Sequence, residues 1–368
     1  MTRAANEIDF WRGLALASIF VNHIPGFTFE RFTHRNFGLS DSAELFVFLA
    51  GWSLRLVARG TEEPLSLARL VLRLGARAVT LYAAQILTTM IAIGIISAAA
   101  MGLDNPLLLE WHNASAVFQD PVPTHLGLVL LTHQLGYFNI LPLYVVLMCG
   151  APVLAVVYRL APVLILPVSL ALYVATLALN VNLPTWPVEG FWFLNPFAWQ
   201  LIFVLGFVLG GTSGIGGFVR RHLTPLRWLC LLGVVAGAVA ALGDFTPDPM
   251  RVPSPQLFFV FDKTYLAPAR LIHFLCLATL FAGSFGAIRR YFERPVRFLS
   301  MLGRNSLNVF CVGSILSLVG QLARFALGGS MLVDTIMLVL GLTGLGLTAW
   351  ISELRDRLRQ SSPGLRQS

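Results

Sequence analysis

A guanidinium and an imidazole in the first apolar stretch are the two side chains best suited to chemistry. Arg12 and His23 lie in RGLALASIFVNH, with ten residues between them and almost nothing polar in the gap. On an α-helix, eleven steps of about 100° bring a side chain back to within about 20° of its first direction, about 16 Å further along. Ionisable groups are costly in hydrocarbon and usually mark a functional site there. A histidine near neutral pH can take a proton from a hydroxyl, and an arginine suits phosphate.

Two carboxylates follow in the first hairpin. Asp41 and Glu44 are three residues apart, so they share one face near the start of the second helix. Asp41 also suits the capping position that begins that helix. Glu44 lies one turn inside an apolar run and needs a cationic or N–H partner, for which His23 is the nearest candidate. We predict that His23, Asp41, Glu44 and Arg12 form a catalytic group with His23 as the base. The alternative is a histidine that merely bonds a helix carbonyl.

Further polar side chains interrupt apolar runs and predict a polar central cavity. Each of them also suits helix packing by hydrogen bonds. The residues that we predict to contact substrate are Asn22, His34, Arg35, Asn36, Asn139, Lys263, Arg270 and His273. The spacings of Gly206 with Gly210 and of Gly233 with Gly237 predict close helix contacts. The sequence has no metal-ligand spacing, no phosphate-binding loop and no GxSxG motif, so we predict no metal.

The composition predicts an integral membrane protein. Of the 368 residues, 56% are hydrophobic and 12% are charged, whereas soluble domains carry roughly 25% charged residues. The net charge of +8 does not indicate nucleic acid, because the arginines fall in alternate loops. The four cysteines lie in apolar runs without paired spacing, and we expect small core side chains rather than disulfides or metal ligands.

An all-α fold with about ten transmembrane helices follows from the apolar runs. A short amphipathic piece around 64–77 leads into the third span, and we expect the first helix to be retained because no signal cleavage site follows it. The predicted spans are 12–28, 42–59, 74–99, 126–148, 151–178, 196–212, 226–243, 267–286, 301–322 and 331–351.

The basic residues predict the topology. If both termini are cytoplasmic, 20 of the 26 lysines and arginines lie on that side. His23 is then near the outer end of its helix and Arg12 near the inner end. The loops 100–125 and 244–266 are walls of an outward cavity or plain connectors. We expect one transmembrane domain over 1–355 and a basic cytoplasmic tail over 356–368.

Several segments resemble one family. R-x10-H in the first span is the hallmark of the type-three membrane acyltransferases, and the surrounding sequence is similar to OpgC-type proteins from about residue 7 to 350. The segments that carry the resemblance are EIDFWRGLAL, FVNHIPGFTFERFTHRNFGLSDSAELFVFLAG, YFNILPLYVVL, LNPFAWQLIFVLGF and LGRNSLNVFCVGSILSLVGQ.

The resemblance implies an enzyme of the bacterial inner membrane that takes an acyl group, succinyl for this branch, from cytoplasmic acyl-CoA to a hydroxyl of a periplasmic glucan. Acyl-CoA is then a substrate, and no cofactor is permanently bound. Arg12 and His23 match the family's essential pair, and Asp41 and Glu44 are less specific helpers. Arginines predicted to hold the nucleotide part are Arg12, Arg73, Arg77 and Arg304. The competing hypotheses are a transporter or flippase of a glycan or small anion, and a membrane scaffold, which leaves the constellation unexplained.

Overall fold

A computed structural model describes residues 5–59 and 66–361, and this part of the chain is helical. Its β-type pairing is an isolated bridge between Pro184 and Phe191. The α-helices are α1 (Glu7–Asn22), α2 (Ser42–Arg59), α3 (Leu67–Gly102), α4 (Ala116–Gln119), α5 (Pro121–Val129), α6 (Ile140–Leu160), α7 (Ile165–Leu179), α8 (Pro196–Leu209), α9 (Gly214–Arg221), α10 (Leu223–Leu242), α11 (Pro268–Phe281), α12 (Phe285–Tyr291), α13 (Glu293–Arg304), α14 (Ser306–Leu327) and α15 (Met331–Ser361). Short 3-10 helices cover Thr28–Phe32, His34–Phe37, Pro106–Asn113, Pro162–Leu164 and Gln256–Phe258.

The all-helical, membrane-type fold is confirmed, but the count of ten spans is not. Among the described residues, six helices are long and apolar enough to cross a membrane. The number reaches eight if the interrupted pairs α8 with α9 and α11 with α12 each count as one span. The first helix has 16 residues, fewer than the roughly 20 that a bilayer crossing needs. The second carries Glu44, Arg55 and Arg59 within its 18 residues.

The predicted fourth and fifth spans are placed wrongly. The sequence between 126 and 148 is not one helix, because α5 ends at Val129 and α6 begins at Ile140. Leu131 and Tyr137 adopt left-handed backbone angles between them, with φ of 61° and 65°. The next helix continues through Pro152 to Leu160, so the break predicted near residue 150 lies about ten residues later.

Two helices are longer than predicted. The amphipathic piece and the third span form one continuous helix, α3, of 36 residues. The last helix, α15, continues to Ser361 and so passes the boundary predicted at residue 355. The division into a domain and a tail stays a prediction. Residues 362–368 of that tail lie outside the described part.

The chain forms two compact units, which we call the terminal unit (Met1–Thr33 and Gly283–Ser368) and the central unit (His34–Ala282). In the terminal unit, α1 packs against α13, α14 and α15. The crossing of α1 with α13 needs two glycines, because a Cβ at Gly13 would collide with the carbonyl of Leu299 and a Cβ at Gly303 with that of Asp9. Backbones approach this closely only where side chains are absent.

Ion pairs mark both ends of the α14–α15 hairpin in the terminal unit. Arg304 donates to Glu353 from Nε and Nη2, at 2.8 and 2.7 Å. At the other end, Arg324 Nη1 donates to both oxygens of Asp334. Asp334 and Glu353 are 19 residues apart on α15, a rise of about 29 Å at 1.5 Å per residue. This length matches the roughly 30 Å hydrocarbon layer of a bilayer.

The central unit is built from close helix pairs. Helices α2 and α8 cross where a Cβ at Gly206 would meet the carbonyl of Phe48 and a Cβ at Gly51 that of Phe203. Helices α10 and α11 cross where Gly233 and Gly237 face Cys276 and His273. The close contacts predicted for Gly206, Gly233 and Gly237 are therefore present.

Three other features of the chain bear on the sequence predictions. Helices α8 and α9 meet at a 71° bend. All four cysteines are described, and none is in a disulfide. Cys149, however, lies on the exposed surface of α6 rather than in the core, because a helix facing lipid is apolar on the outside as well.

Candidate functional site

The start of α2 supplies the two predicted carboxylates of the central unit. Asp41 Oδ1 accepts a hydrogen bond from the Ala43 N–H at 2.8 Å, and Glu44 Oε2 accepts one from the Asp41 N–H at 2.9 Å. This arrangement is a variant of the capping box, in which the aspartate side chain accepts from the second residue of the helix rather than from the third. The local sequence D-S-A-E therefore fixes both carboxylates at the first turn, in a buried position.

Arg270 of α11 is the cation that the structure places on Glu44. Its Nε and Nη2 donate to Glu44 Oε1 at 3.0 and 2.6 Å. The side chain of Glu44 is 0% exposed and that of Arg270 13%. A buried charge of this kind is tolerated only with a partner. The partner expected from the sequence was His23, whereas the bond within the central unit is to Arg270.

Lys263 completes a four-charge cluster with Asp41, Glu44 and Arg270. Its ammonium group donates to Asp41 Oδ2, and Arg270 Nη2 lies 3.6 Å from the same oxygen. Burial would raise the pKa of Asp41, but the nearby Lys263 and Arg270 more than offset burial and hold that pKa below its usual range. The lysine side chain is the most exposed member, at 31%. The charge cluster therefore contains two basic and two acidic side chains.

His273 lies one turn beyond Arg270 and is also buried. Its Nδ1 is 2.8 Å from the hydroxyl of Ser40, the residue before Asp41. The ring is wedged between backbones, because a Cβ at Gly38 or at Gly237 would collide with it. The central unit thus brings together five of the predicted residues, namely Asp41, Glu44, Lys263, Arg270 and His273.

The terminal unit holds the Arg12 and His23 pair on α1. The helix ends at Asn22, and His23 is its C-cap, with its N–H bonded to the Ile19 carbonyl at 3.0 Å. The Gln321 side-chain amide donates to the His23 carbonyl. Gln321 belongs to the Arg324 end of α14, whereas α1 packs on α13 near Arg304 through Gly13. Arg12 and His23 therefore lie toward opposite ends of the α14–α15 hairpin, as expected for a pair that spans the bilayer.

Several other predicted residues have partners of their own. The Asn22 side chain accepts from the Thr33 hydroxyl at 2.7 Å. Asn139 is the N-cap of α6 and donates to Gln134 at 3.2 Å. Arg304 is bonded to Glu353. Arg35, Asn36 and Arg73 are exposed, while His34 and Arg77 are half-buried. These positions neither establish nor remove the roles predicted for them.

The sequence reasoning missed two groups. Asp334 is buried and accepts from Thr28 as well as from Arg324; an aspartate inside an apolar run was a signal that could have found it. The second is Ser40, which no local pattern links to His273, 233 residues away. Among residues 5–59 and 66–361, no group of three or more His, Cys, Asp or Glu side chains is placed to hold a metal ion.

Comparison of the whole chain with family models decides its classification. The model of the OpgC protein family matches residues 4–357. The chain belongs to the OpgC protein family. The match covers both units of this OpgC protein and both groups of candidate residues, and it confirms the resemblance seen in the sequence. A search of curated proteins and a search of solved structures each found no match.

Proposed function

We propose that this OpgC protein is an O-acyltransferase of the bacterial inner membrane. It moves an acyl group, succinyl by the family resemblance, from cytoplasmic acyl-CoA to a hydroxyl of a periplasmic glucan or related glycan. The observation that carries the proposal is the family match over residues 4–357. The positions of Arg12 and His23 also support the proposal, because the two residues lie toward opposite ends of the α14–α15 hairpin, whose length matches that of a bilayer core.

The orientation follows from the distribution of charge. Arg355, Arg357 and Arg359 are exposed on α15 just beyond Glu353. Arginine is enriched on the cytoplasmic side of membrane proteins, so the Glu353 end of the hairpin faces the cytoplasm. Arg12 is then on the side from which acyl-CoA arrives, and His23 is on the side of the acceptor. Both chain termini are cytoplasmic in this arrangement.

The donor binds from the cytoplasm because its phosphates cannot enter hydrocarbon. Arginine is suited to phosphate by its planar fork of donors. We assign this role first to Arg12, then to Arg73 and Arg77. Arg304 is a weaker candidate because a phosphate there would compete with Glu353, which already accepts two hydrogen bonds from it.

The transfer needs one base and one leaving group. The acceptor oxygen attacks the thioester carbonyl while His23 takes the hydroxyl proton. The carbon–sulfur bond then breaks, CoA leaves as a thiolate that regains a proton, and the new ester remains on the glycan. The rise of about 16 Å from Arg12 to His23 is comparable with the length of an extended pantetheine arm.

The charge cluster of the central unit serves binding in this proposal. Arg270 is occupied by Glu44 and buried, whereas Lys263 is more exposed and held by a single carboxylate. Lys263 is thus the group best able to exchange Asp41 for the distal carboxylate of a succinyl group. Asp41 and Glu44 set the positions of the two cations. The acceptor contacts predicted from the sequence for Asn22 in the terminal unit, and for His34, Arg35, Asn36, Asn139 and His273 in the central unit, stay separate predictions.

The test is acyl transfer by the full-length protein in proteoliposomes. Acyl-CoA carrying an isotope in its acyl group is supplied on the cytoplasmic side, and a glucan is supplied on the other. We expect the label to appear on the glucan in ester linkage, with free CoA released in equal amount. Labelled acyl-CoA that remains intact, or a glucan that crosses without modification, would refute acyl transfer.

A transporter or flippase is the second candidate. The 71° bend between α8 and α9 is the observation that favours it, because discontinuous helices line the binding sites of many transporters. The same proteoliposomes distinguish the two functions, since a transporter moves its substrate without forming a covalent bond.

A further inference from the structure

The turn that follows His23 is tied down at three points within the terminal unit. Thr33 bonds back to Asn22 at 2.7 Å, and Gln321 bonds the His23 carbonyl. At the centre of the turn, the Thr28 N–H and hydroxyl both donate to Asp334 Oδ2, at 2.7 and 2.6 Å. His23 is the C-cap of α1, where the backbone frays easily, so these contacts restrain the backbone that carries the imidazole.

Asp334 is the centre of this arrangement. It is the N-terminal carboxylate of α15, its side chain is 1% exposed, and it carries two hydrogen bonds from Thr28 and two from Arg324. Arg324 also packs on the turn itself, since its guanidinium lies 3.4 Å from where a Cβ on Gly26 would be. Gly26 has φ of +72°, which favours glycine at that position.

The contact between Asp334 and Thr28 does more than join the two helices of the α14–α15 hairpin. Arg324 and Asp334 alone would join α14 to α15, because they are ten residues apart on either side of the hairpin loop. The Thr28 hydroxyl donates to the same Asp334 oxygen as Arg324 does, and in doing so it attaches the turn after His23 to this buried charge.

We propose that Asp334 is a positioning residue that acts through Thr28 to hold the His23 imidazole in place for proton transfer. This inference rests on the proposed function, in which His23 is the base. A base has to lie within hydrogen-bond reach, about 2.6–3.2 Å between heavy atoms, of the hydroxyl oxygen whose proton it removes. A displacement of about 1 Å can cost on the order of 100-fold in rate. A loosened turn should therefore lower turnover and leave the binding of acyl-CoA unchanged.

The test uses two substitutions of Thr28 in the full-length protein. Thr28→Val removes the hydroxyl donor and keeps the size and the backbone N–H, while Thr28→Ser keeps the donor. The control is Thr335→Val, which removes the hydroxyl of a threonine that bonds only within α15, to the Met331 carbonyl. For each variant, kcat, KM for acyl-CoA and the thermal midpoint are measured.

We expect Thr28→Val to lower kcat by about tenfold or more at temperatures where the variant is fully folded, with KM for acyl-CoA unchanged; the loss of one hydrogen bond to the buried Asp334 should lower the thermal midpoint only slightly. Thr28→Ser should restore kcat, and Thr335→Val should resemble the wild type. Wild-type kcat in Thr28→Val would overturn the inference. A loss of kcat that follows a fall in thermal midpoint and is not rescued by serine would also overturn it, because that pattern indicates a structural role alone.

A third variant separates this inference from the proposed function. If His23→Gln is inactive while Thr28→Val is fully active, the positioning role is wrong and the base assignment stands. If folded His23→Gln turns over at the wild-type rate, the base assignment is wrong, and the positioning role is wrong with it.

Discussion

Arg270 reaches across 226 residues of sequence to place its Nε 3.0 Å and its Nη2 2.6 Å from a single oxygen of Glu44. The other oxygen of Glu44 closes the capping box on the Asp41 N–H. The Glu44 side chain therefore joins the first turn of α2 to α11, and its carboxylate is paired with the Arg270 guanidinium. This junction gives the central unit a fixed cluster of two cations and two carboxylates.

Breaking this junction should cost much more than breaking a surface pair. We expect Glu44→Leu to lower the free energy of unfolding by about 3–5 kcal/mol, because it leaves the Arg270 charge buried without its main partner. The control is Glu293→Leu, which removes an exposed pair with Arg297 at 3.9 Å and should cost about 0–1 kcal/mol. Unfolding of the purified protein in mild detergent measures both. Similar losses in the two variants would contradict the account.

The ionic bond between Lys263 and Asp41 should resist acid. Because its cationic neighbours lower the pKa of Asp41 in the folded protein, the stabilisation is complete above the unfolded pKa of about 3.9. It is lost only as the pH falls through the lowered pKa. We expect the difference in thermal midpoint between the wild type and Asp41→Asn to be constant from pH 8 to pH 5. A difference that shrinks between pH 7 and pH 5 would contradict this expectation.

The contact between α1 and α13 predicts a sharp dependence on one glycine. A Cβ at Gly303 would collide with the Asp9 carbonyl, and backbone cannot move aside as a flexible side chain can. We expect Gly303→Ala to destabilise the protein by about 1–3 kcal/mol or more. Gly286→Ala is the matched control on α12, where a Cβ meets nothing within 4 Å, and it should be neutral or stabilising by up to about 1 kcal/mol. Equal thermal midpoints for the two variants would refute the close contact.

The proposed topology can be tested at the two ends of α15. In a variant with all four cysteines replaced by serine, single cysteines are introduced as Ser330→Cys and Asp356→Cys. A membrane-impermeant thiol reagent applied to intact spheroplasts should label position 330, on the periplasmic side, and should label position 356 only after lysis. The reverse labelling pattern would invert the orientation and place His23 on the cytoplasmic side.

The sequence predicts a helix well where a single apolar run is long enough to cross a membrane. The runs that form α10, α14 and α15 are long and apolar enough to cross a membrane, so hydropathy identifies them. The predicted boundary near residue 150 was wrong because Pro152 is accommodated inside α6. A proline removes one backbone donor, and neighbouring helices can compensate for that loss.

The sequence identifies the residues of the central cluster, but it does not show which of them bond to one another. Asp41, Glu44, Lys263, Arg270 and His273 were all singled out because charged or polar groups in apolar runs are costly. The capping box of Asp41 and Glu44 was visible in the local pattern, and its second half was overlooked. The bond from Glu44 to Arg270 joins distant segments, and a single sequence carries no signal for such a contact.

The most direct test of the central claim is the rate of acyl transfer by a His23 variant of proven fold. The full-length wild type, His23→Gln and the control His125→Gln, which changes an exposed histidine of α5, are compared in proteoliposomes with isotope-labelled acyl-CoA and glucan. If His23 is the base, His23→Gln should lose about 100-fold or more of the ester-forming rate while keeping the wild-type thermal midpoint, and His125→Gln should transfer normally. Wild-type transfer by folded His23→Gln would contradict the account.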